Sequence, residues 1–121
     1  MMSSFKQSVP DDEKAVLIRL LKALKPFHEL NSKMPLQYVT AFLSVAIKEG
    51  QNVSEYAKIV GTSQSLMTRH LHDIGKINRH HKTGYGLVEA ETDMMDRRNK
   101  RNQLTAKGQR LVGQLLGALA K

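Results

Sequence analysis

The sequence contains no cysteine among its 121 residues, and only 5% of them are aromatic. The absence of cysteine excludes disulfide bonds, thiolate zinc sites and cysteine-based redox sensing, and it is typical of a reducing compartment. No apolar run approaches the ~20 residues that a membrane-spanning helix needs, and residues 1–7 lack the apolar stretch of a secretory signal. We therefore predict a cytoplasmic protein without a membrane partner.

Acidic residues are in the minority, since 11 Asp and Glu stand against 19 Lys and Arg and the formal net charge is +8. The length is sufficient for a single domain with a hydrophobic core, and too short for two domains of ordinary size. The positive charge is concentrated between Arg69 and Arg101. A clustered positive field fits a polyanion, although a membrane surface or an acidic protein attracts the same charge. The choice among these partners therefore depends on the motifs.

A helix with an apolar stripe is predicted at each end of the chain, over residues 10–25 and 105–120. Pro10 starts the first helix and Pro26 is expected to end it, because proline interrupts a helix interior. Thr105 is a suitable N-cap for the second. The stripes contain Leu17, Leu20, Leu21 and Leu24, and Leu111, Val112, Leu115, Leu116 and Leu119. We predict that these stripes pair with each other across a homodimer; the alternative is that they cover the core of a single chain.

A helix-turn-helix is predicted over residues 53–75, after an apolar helix that begins near Leu36 and that we expect to be the most buried. Ser54 is a plausible N-cap of its first helix, and Gly61 separates that helix from the second, which Ser63 caps. In the second helix, one side is apolar. The other carries Gln64, Ser65, Thr68, Arg69 and His72. Such side chains hydrogen-bond base edges and phosphates in a major groove, and the alternative is a plain solvated face.

A β-hairpin with a basic tip is predicted over residues 86–104, docked on the body by Leu87, Val88 and Leu104. A hairpin is not stable alone, so the helix-turn-helix upstream is the element most suited to support it. The combination is a winged helix: mainly α-helical with a small β-hairpin wing, in one domain that spans the chain. The basic residues of this region are Arg97, Arg98, Lys100 and Arg101, and the loop before the hairpin adds Arg79 and Lys82. The pattern predicts DNA binding by all of these side chains together with Ser63 and the polar helix face.

One set of residues spans the hairpin and the start of the last helix. It comprises Gly86-Leu87-Val88-Glu89, Asp93, Asp96-Arg97-Arg98, Leu104-Thr105 and Gly108. This set resembles the wing of the MarR family of bacterial transcription regulators, in which a Gly-Leu-Val-Glu strand leads through an Asp-x-Arg turn to a Leu-Thr-x-x-Gly helix start. Residues 63–69 are similar to the family's recognition helix. The resemblance covers about residues 36–115.

The resemblance implies a homodimeric winged-helix regulator with a wing arginine, here Arg98, in the minor groove. It further implies that Asp96 orients this arginine and that Arg97 contacts the DNA backbone. A small-molecule effector is also common in the family, although no residue pattern in this sequence identifies a site for one. Two features depart from the family. Residues 76–85 form an insertion before the wing, and Asn102 stands where an inward aliphatic is usual, which we expect to weaken the strand's packing.

The motifs together predict a sequence-specific, double-stranded DNA-binding transcriptional regulator, acting as a homodimeric repressor on a pseudo-palindromic operator. One alternative is a sequence-neutral architectural or replication-associated winged-helix protein of a mobile element, and another is a module whose basic face binds an acidic protein. The sequence has no nucleophile motif and no phosphate-binding glycine loop, so we predict neither an enzyme nor a cofactor. The histidines His70, His72, His80 and His81 lack supporting cysteines, and we predict no metal site.

Overall fold

The computed structural model describes residues 9–76, 83–96 and 99–120. These residues form five helices and one antiparallel pair of strands. In chain order the elements are α1 (Asp11–Leu30), α2 (Leu36–Ile47), α3 (Val53–Val60), α4 (Gln64–Asp73), β1 (Val88–Thr92), β2 (Lys100–Leu104) and α5 (Ala106–Leu119). The predicted fold class, a helical body with a β-hairpin, is confirmed. None of the helices in these ranges is apolar over a length that could cross a membrane.

Helix α1 continues past Pro26 to Leu30, so the prediction that this proline ends the helix was wrong. A proline inside a helix costs ~3 kcal/mol, because it removes one hydrogen bond and crowds the preceding turn. Phe27 is buried directly after it and Leu30 packs against the core. Burial of each side chain contributes about 1.5–3 kcal/mol, which offsets the cost. The helix ends instead at Asn31, which has an extended backbone.

The helix-turn-helix begins at Val53 as predicted, but the N-cap of its first helix lies two residues before the predicted one. The side chain of Asn52, not that of Ser54, accepts the capping hydrogen bond, from the backbone N–H of Glu55 at 3.1 Å. Asparagine and serine are equally good caps, so the local pattern did not distinguish them. The next helix starts as predicted, since Ser63 Oγ accepts from the N–H of Leu66 at 3.1 Å. Gly61, at φ 84°, makes the left-handed turn between the two helices.

Helix α2 lies at the centre of the core, and its Ala41, Phe42 and Val45 are inaccessible to solvent. The ring of Phe42 meets the ring of Phe27 edge to face at 5.8 Å. Leu36 and Ile47, however, lie on an exposed side of the same helix. The prediction that α2 is the most buried helix is confirmed among the described helices, since five of its 12 residues are buried.

Helices α1 and α5 pack against each other within one chain, whereas we predicted that they pair across a dimer. Leu111 and Leu115 of α5 are buried in the same apolar cluster as Ala23 and Phe27 of α1. The assignment of Leu111 and Leu115 to a dimer contact is therefore corrected, since they stabilise the fold of the single chain. Apolar periodicity identified the stripe, but not which of its members another part of the same chain covers.

The hairpin is held to the body through its base, where Leu87, Val88 and Leu104 are buried as predicted. Asn102 does not leave a weak point in the strand. Its N–H donates to the carbonyl of Gln51 at 3.0 Å, its carbonyl accepts from the N–H of Gly50 at 2.7 Å, and its side chain donates to Gln51 at 3.3 Å. The expectation that Asn102 weakens the packing of the strand was therefore wrong, because its hydrogen bonds join β2 to the connection between α2 and α3.

Thr105 closes the base of the wing. Its hydroxyl donates to the carbonyl of Gly86 at 2.5 Å and accepts from the N–H of Gly108 at 3.1 Å. One side chain therefore caps α5 and fastens the entry of β1 to the exit of β2. Thr105 and the two motif glycines that it contacts, Gly86 and Gly108, are therefore structural residues in this chain.

Candidate nucleic-acid interface

Helix α4 presents a polar face to solvent. The side chains predicted to read DNA are all exposed there: Gln64, Ser65, Thr68, Arg69 and His72. The opposite side of the helix holds it in place, because Met67 and Leu71 are buried in the core. Ser63 differs from the others, since its hydroxyl accepts the capping bond and is committed to the helix start. The predicted face is thus available to a ligand, with Ser63 contributing structure at its edge.

A chain of contacts that sequence reasoning missed holds α4 against the rest of the body. Tyr38 Oη donates to Asp73 Oδ2 at 2.6 Å, and the Tyr38 ring meets His70 at 5.8 Å and Tyr85 at 6.2 Å. Tyr85 Oη in turn accepts from Asn31 Nδ2 at 2.7 Å. These contacts join the end of α1, α2 and the segment before β1 to the exit of α4. No local pattern signals them, because the partners are far apart in sequence.

Helix α4 and the hairpin border one open groove of about 550 Å³. His72 lines it from α4, Lys100 from β2, and Lys76 from the segment that follows α4. Lys76 Nζ also lies 3.3 Å from Glu89 Oε2 of β1, which ties the two sides together. The structure therefore brings His72 and Lys100, two residues predicted to bind DNA, to the same concave surface.

Asp93 organises the described part of the hairpin tip, residues 93–96 and 99. Its Oδ1 accepts from the N–H of Met95 at 2.9 Å, and its Oδ2 accepts from Nε and Nη2 of Arg101 at 3.3 and 3.2 Å. The Met95 N–H, helped by the Arg101 guanidinium, lowers the pKa of Asp93 below its ordinary value of 3.8, although partial desolvation opposes the shift. The sequence pattern identifies Asp93 as a motif residue and predicts a DNA contact for Arg101, but it does not predict that these two residues pair.

Asp96 is predicted to orient Arg98, which lies outside the described residues. Arg79, Lys82 and Arg97 lie outside them as well. Asp96 itself accepts from Asn99, through the backbone at 3.0 Å and from Nδ2 to its carboxylate at 3.3 Å. Its role in orienting Arg98 remains a prediction. Among the described residues no cluster of three His, Asp or Glu side chains could hold a metal, and His80 and His81 lie outside them.

A second exposed surface runs along α1 and the end of α5; we call it the α1 face. Its large apolar members are Val16, Leu17, Ile18, Leu20, Leu21, Leu24, Leu116 and Leu119, which are 41% to 69% exposed. Val112, also predicted for dimerisation, is half-buried. Eight large apolar side chains exposed on two packed helices are typical of an interaction site.

Comparisons with protein-family models and with curated proteins find no match, whereas comparison with solved structures does. The MarR-like transcriptional regulator Tm0816 of Thermotoga maritima is 27% identical over 93% of this chain and 76% of its own, with a TM-score of 0.60. The regulator Tm0710 of the same organism is 14% identical over 88% and 68%, with a TM-score of 0.67. A mutant of S. aureus MepR, solved with an oligodeoxyribonucleotide, is 19% identical over 88% and 65%, with a TM-score of 0.57.

This chain spans as little as 62% of the length of a similar solved chain. At these identities the common property is the arrangement of helices and wing. Five helices and a hairpin, in the described ranges, superpose on regulators that share one architecture. The chain therefore has the winged-helix fold of the MarR-like transcription regulators.

Proposed function

We propose that this protein is a homodimeric, sequence-specific DNA-binding transcription regulator that represses by occupying a pseudo-palindromic operator. One observation carries the proposal: His72, on the exposed polar face of α4, and Lys100 of the hairpin line the same groove. A DNA duplex offers base edges in its major groove between two charged backbones, and the combination of polar helix and flanking lysines is complementary to that pattern.

We assign different DNA contacts to α4 and to the hairpin. Gln64 and Arg69, on the exposed face of α4, are suited to base edges, because amide and guanidinium groups make paired hydrogen bonds with adenine and guanine. Lys100 and Arg101, on β2, are suited to phosphates and to the minor groove. The contacts of Tyr38 and Asp73 hold α4 at a defined angle to the body, which a readout by base edges requires.

A second copy of the chain is the proposed occupant of the α1 face. Leu111 and Leu115 already bind α5 to α1 inside one chain, so the apolar residues that remain exposed need another partner. A two-fold arrangement about this face presents two α4 helices to successive major grooves about 34 Å apart, as a pseudo-palindrome requires.

Selection of bound sequences from a random duplex pool, at near-physiological salt, tests sequence preference directly. We expect an enriched inverted repeat, bound roughly 10³-fold or more tightly than random DNA. Salt-sensitive retention of DNA without enrichment would instead indicate a sequence-neutral architectural or replication-associated protein. Absence of any DNA retention would exclude both and favour an acidic protein as the partner of the basic surface.

Point variants test the base contacts proposed for α4 and the phosphate contacts proposed for the hairpin. Gln64→Ala and Arg69→Ala are expected to reduce the preference for the selected site over random DNA. Lys100→Ala is expected to weaken binding to both and to lower the slope of log affinity against log salt by about 1, because one fewer counterion is displaced. Lys14→Ala removes the same charge from the first turn of α1 and serves as the control. Unchanged preference in both α4 variants would refute the readout by this helix.

The dimer is tested with Leu21→Glu, a substitution at a side chain that is 69% exposed on the α1 face. We expect a monomer in sedimentation equilibrium with an unchanged helical circular dichroism spectrum. Ile47→Glu places the same charge at a 73% exposed position of α2 and should leave the dimer intact. A wild-type protein that sediments as a monomer would contradict the proposed dimer without deciding whether DNA binds.

A further inference from the structure

Two adjacent methionines occupy the hairpin tip with almost no contact to the rest of the chain. Met94 is 94% exposed and Met95 is 92% exposed, more than any other large apolar side chain in the described ranges. Surface apolar residues are common singly, but two long apolar side chains together at the end of a protruding hairpin indicate a contact with a partner.

The described residues of the tip that carries these methionines, 93–96 and 99, are joined by hydrogen bonds. The N–H of Asp93 donates to the carbonyl of Asn99 at 2.9 Å, and the N–H of Asn99 donates to the carbonyl of Asp96 at 3.0 Å. The carboxylate of Asp93 accepts from Met95 within the loop and from Arg101 across the hairpin. The backbone therefore presents both methionines outward in a defined position, and a partner would pay little ordering entropy at the tip.

The charges around the tip decide the kind of partner. Lys100 follows it on β2 and lines the groove with α4, while the next residue, Arg101, is ion-paired with Asp93 of the tip. The minor groove of DNA has a matching layout, because phosphates line its two edges and the apolar faces of the bases become accessible at its floor when a step is unstacked. Methionine is one of the side chains that proteins insert between base steps from the minor groove, which unstacks the step and bends the duplex.

We propose that Met94 and Met95 form an apolar wedge that enters the minor groove and partly unstacks one base step, bending the bound duplex. This inference rests on the proposed DNA binding and adds a second source of sequence preference to it. Pyrimidine–purine steps unstack and kink most readily, so the bound site is expected to carry such a step where the tip meets it. Base hydrogen bonds from the tip are not needed for this preference.

The experiment compares the full-length wild type with the double variant Met94→Ala/Met95→Ala on short duplexes. In these duplexes, 2-aminopurine replaces adenine at successive positions, so that its fluorescence rises where a step is unstacked. Wild type should raise the fluorescence at a step flanking the α4 contact, and the variant should not. We expect the variant to bind about tenfold more weakly, from the lost apolar burial, with an unchanged salt slope because no charge is removed.

Two controls separate this effect from other causes. Met94→Leu/Met95→Leu keeps the apolar volume and should retain both the affinity and the fluorescence change. Lys100→Ala should weaken binding with a reduced salt slope, which is the signature of a lost phosphate contact. Because both methionines are exposed, the alanine variant should melt at the wild-type temperature, and this measurement verifies its fold.

The outcomes distinguish this proposal from the proposed function. Equal affinity and equal fluorescence for wild type and the alanine variant would overturn the wedge while leaving sequence-specific binding intact. Binding without sequence preference, but with the fluorescence change lost in the alanine variant, would overturn the regulator and support the wedge. If wild type binds neither the selected nor a random duplex, both proposals fall.

Discussion

The backbone of Gly108 lies so close to the carbonyl group of Leu87 that a Cβ atom at this position would overlap the carbonyl oxygen. Gly108 is in the first turn of α5, and the same Leu87 carbonyl accepts a hydrogen bond from the N–H of Thr105 at 3.1 Å. Position 108 therefore needs glycine, because the first turn of α5 and the residue before β1 meet there without space for a side chain. This contact fixes the angle at which the hairpin leaves the body.

Gly108→Ala is predicted to destabilise the protein by about 1–3 kcal/mol, because backbone must move to admit the new methyl group. Gly113→Ala is the matched control in the same helix, where a Cβ meets no atom within 4 Å. That substitution should instead stabilise by up to about 1 kcal/mol, since alanine favours the helix more than glycine does. Thermal unfolding of both variants makes the comparison. Shifts of the same sign would show that Gly108 does not mark a close contact.

Thr105→Val is predicted to cost about 1–2 kcal/mol of unfolding free energy, because the variant keeps the shape of the side chain and loses the hydroxyl. The N–H of Gly108 and the carbonyl of Gly86 would both lose a partner. Thr105→Ser keeps the hydroxyl and should retain most of the stability. Urea unfolding can measure both variants. A valine variant as stable as wild type would show that the hydroxyl contributes no net stability.

The features predicted well from the sequence are those with local causes. Ser63 and Thr105 were predicted as caps because each hydroxyl directly precedes an apolar helical pattern, and both accept the expected bond. The burial of Leu87, Val88 and Leu104 at the hairpin base was likewise predicted from their apolar side chains. Where the cause is tertiary, local rules failed. The helix break expected at Pro26 did not occur, because the burial of Phe27 extends α1.

In the candidate interface, too, features with a local cause could be predicted and features with a tertiary cause could not. The exposed face of α4 could be predicted, because a helix with one apolar side must expose the other. The bond from Tyr38 to Asp73 could not, because it joins residues 35 positions apart and neither residue belongs to a recognisable pattern. Similarly, periodicity marks Leu115 and Leu21 as equally apolar, whereas only the packed structure shows that the first is buried and the second exposed.

Asp93 provides a prediction about acid pH. Because its pKa lies below the ordinary 3.8, the ionised carboxylate favours the closed tip above that pH, and this contribution is lost as pH falls through the lowered value. Carboxyl NMR titration should find the Asp93 pKa low in wild type. In Arg101→Ala it should rise only partly, because the Met95 N–H is the larger cause. A return to the ordinary value in this variant would assign the shift to the ion pair alone.

Tyr56 provides the corresponding prediction at alkaline pH. Its side chain is fully buried, and its hydroxyl donates to the carbonyl of Lys48 at 2.7 Å while accepting from the N–H of Gln51 at 3.1 Å. Burial raises the pKa of Tyr56 above 10.0, the Gln51 N–H opposes this, and the charge of Glu49 adds to it. The buried phenol should therefore remain protonated at pH values where the unfolded chain has ionised.

A raised pKa in the folded state means that the contribution of Tyr56 to stability is complete below pH 10.0 and declines as pH rises through the folded value. Tyr56→Phe cannot ionise and should be less stable at neutral pH by about 1–3 kcal/mol, since buried backbone groups lose a partner. The difference between the two proteins should then shrink above pH 10.0. Urea unfolding at several pH values can measure it, and a difference that stays constant would show that the phenol ionises equally in both states.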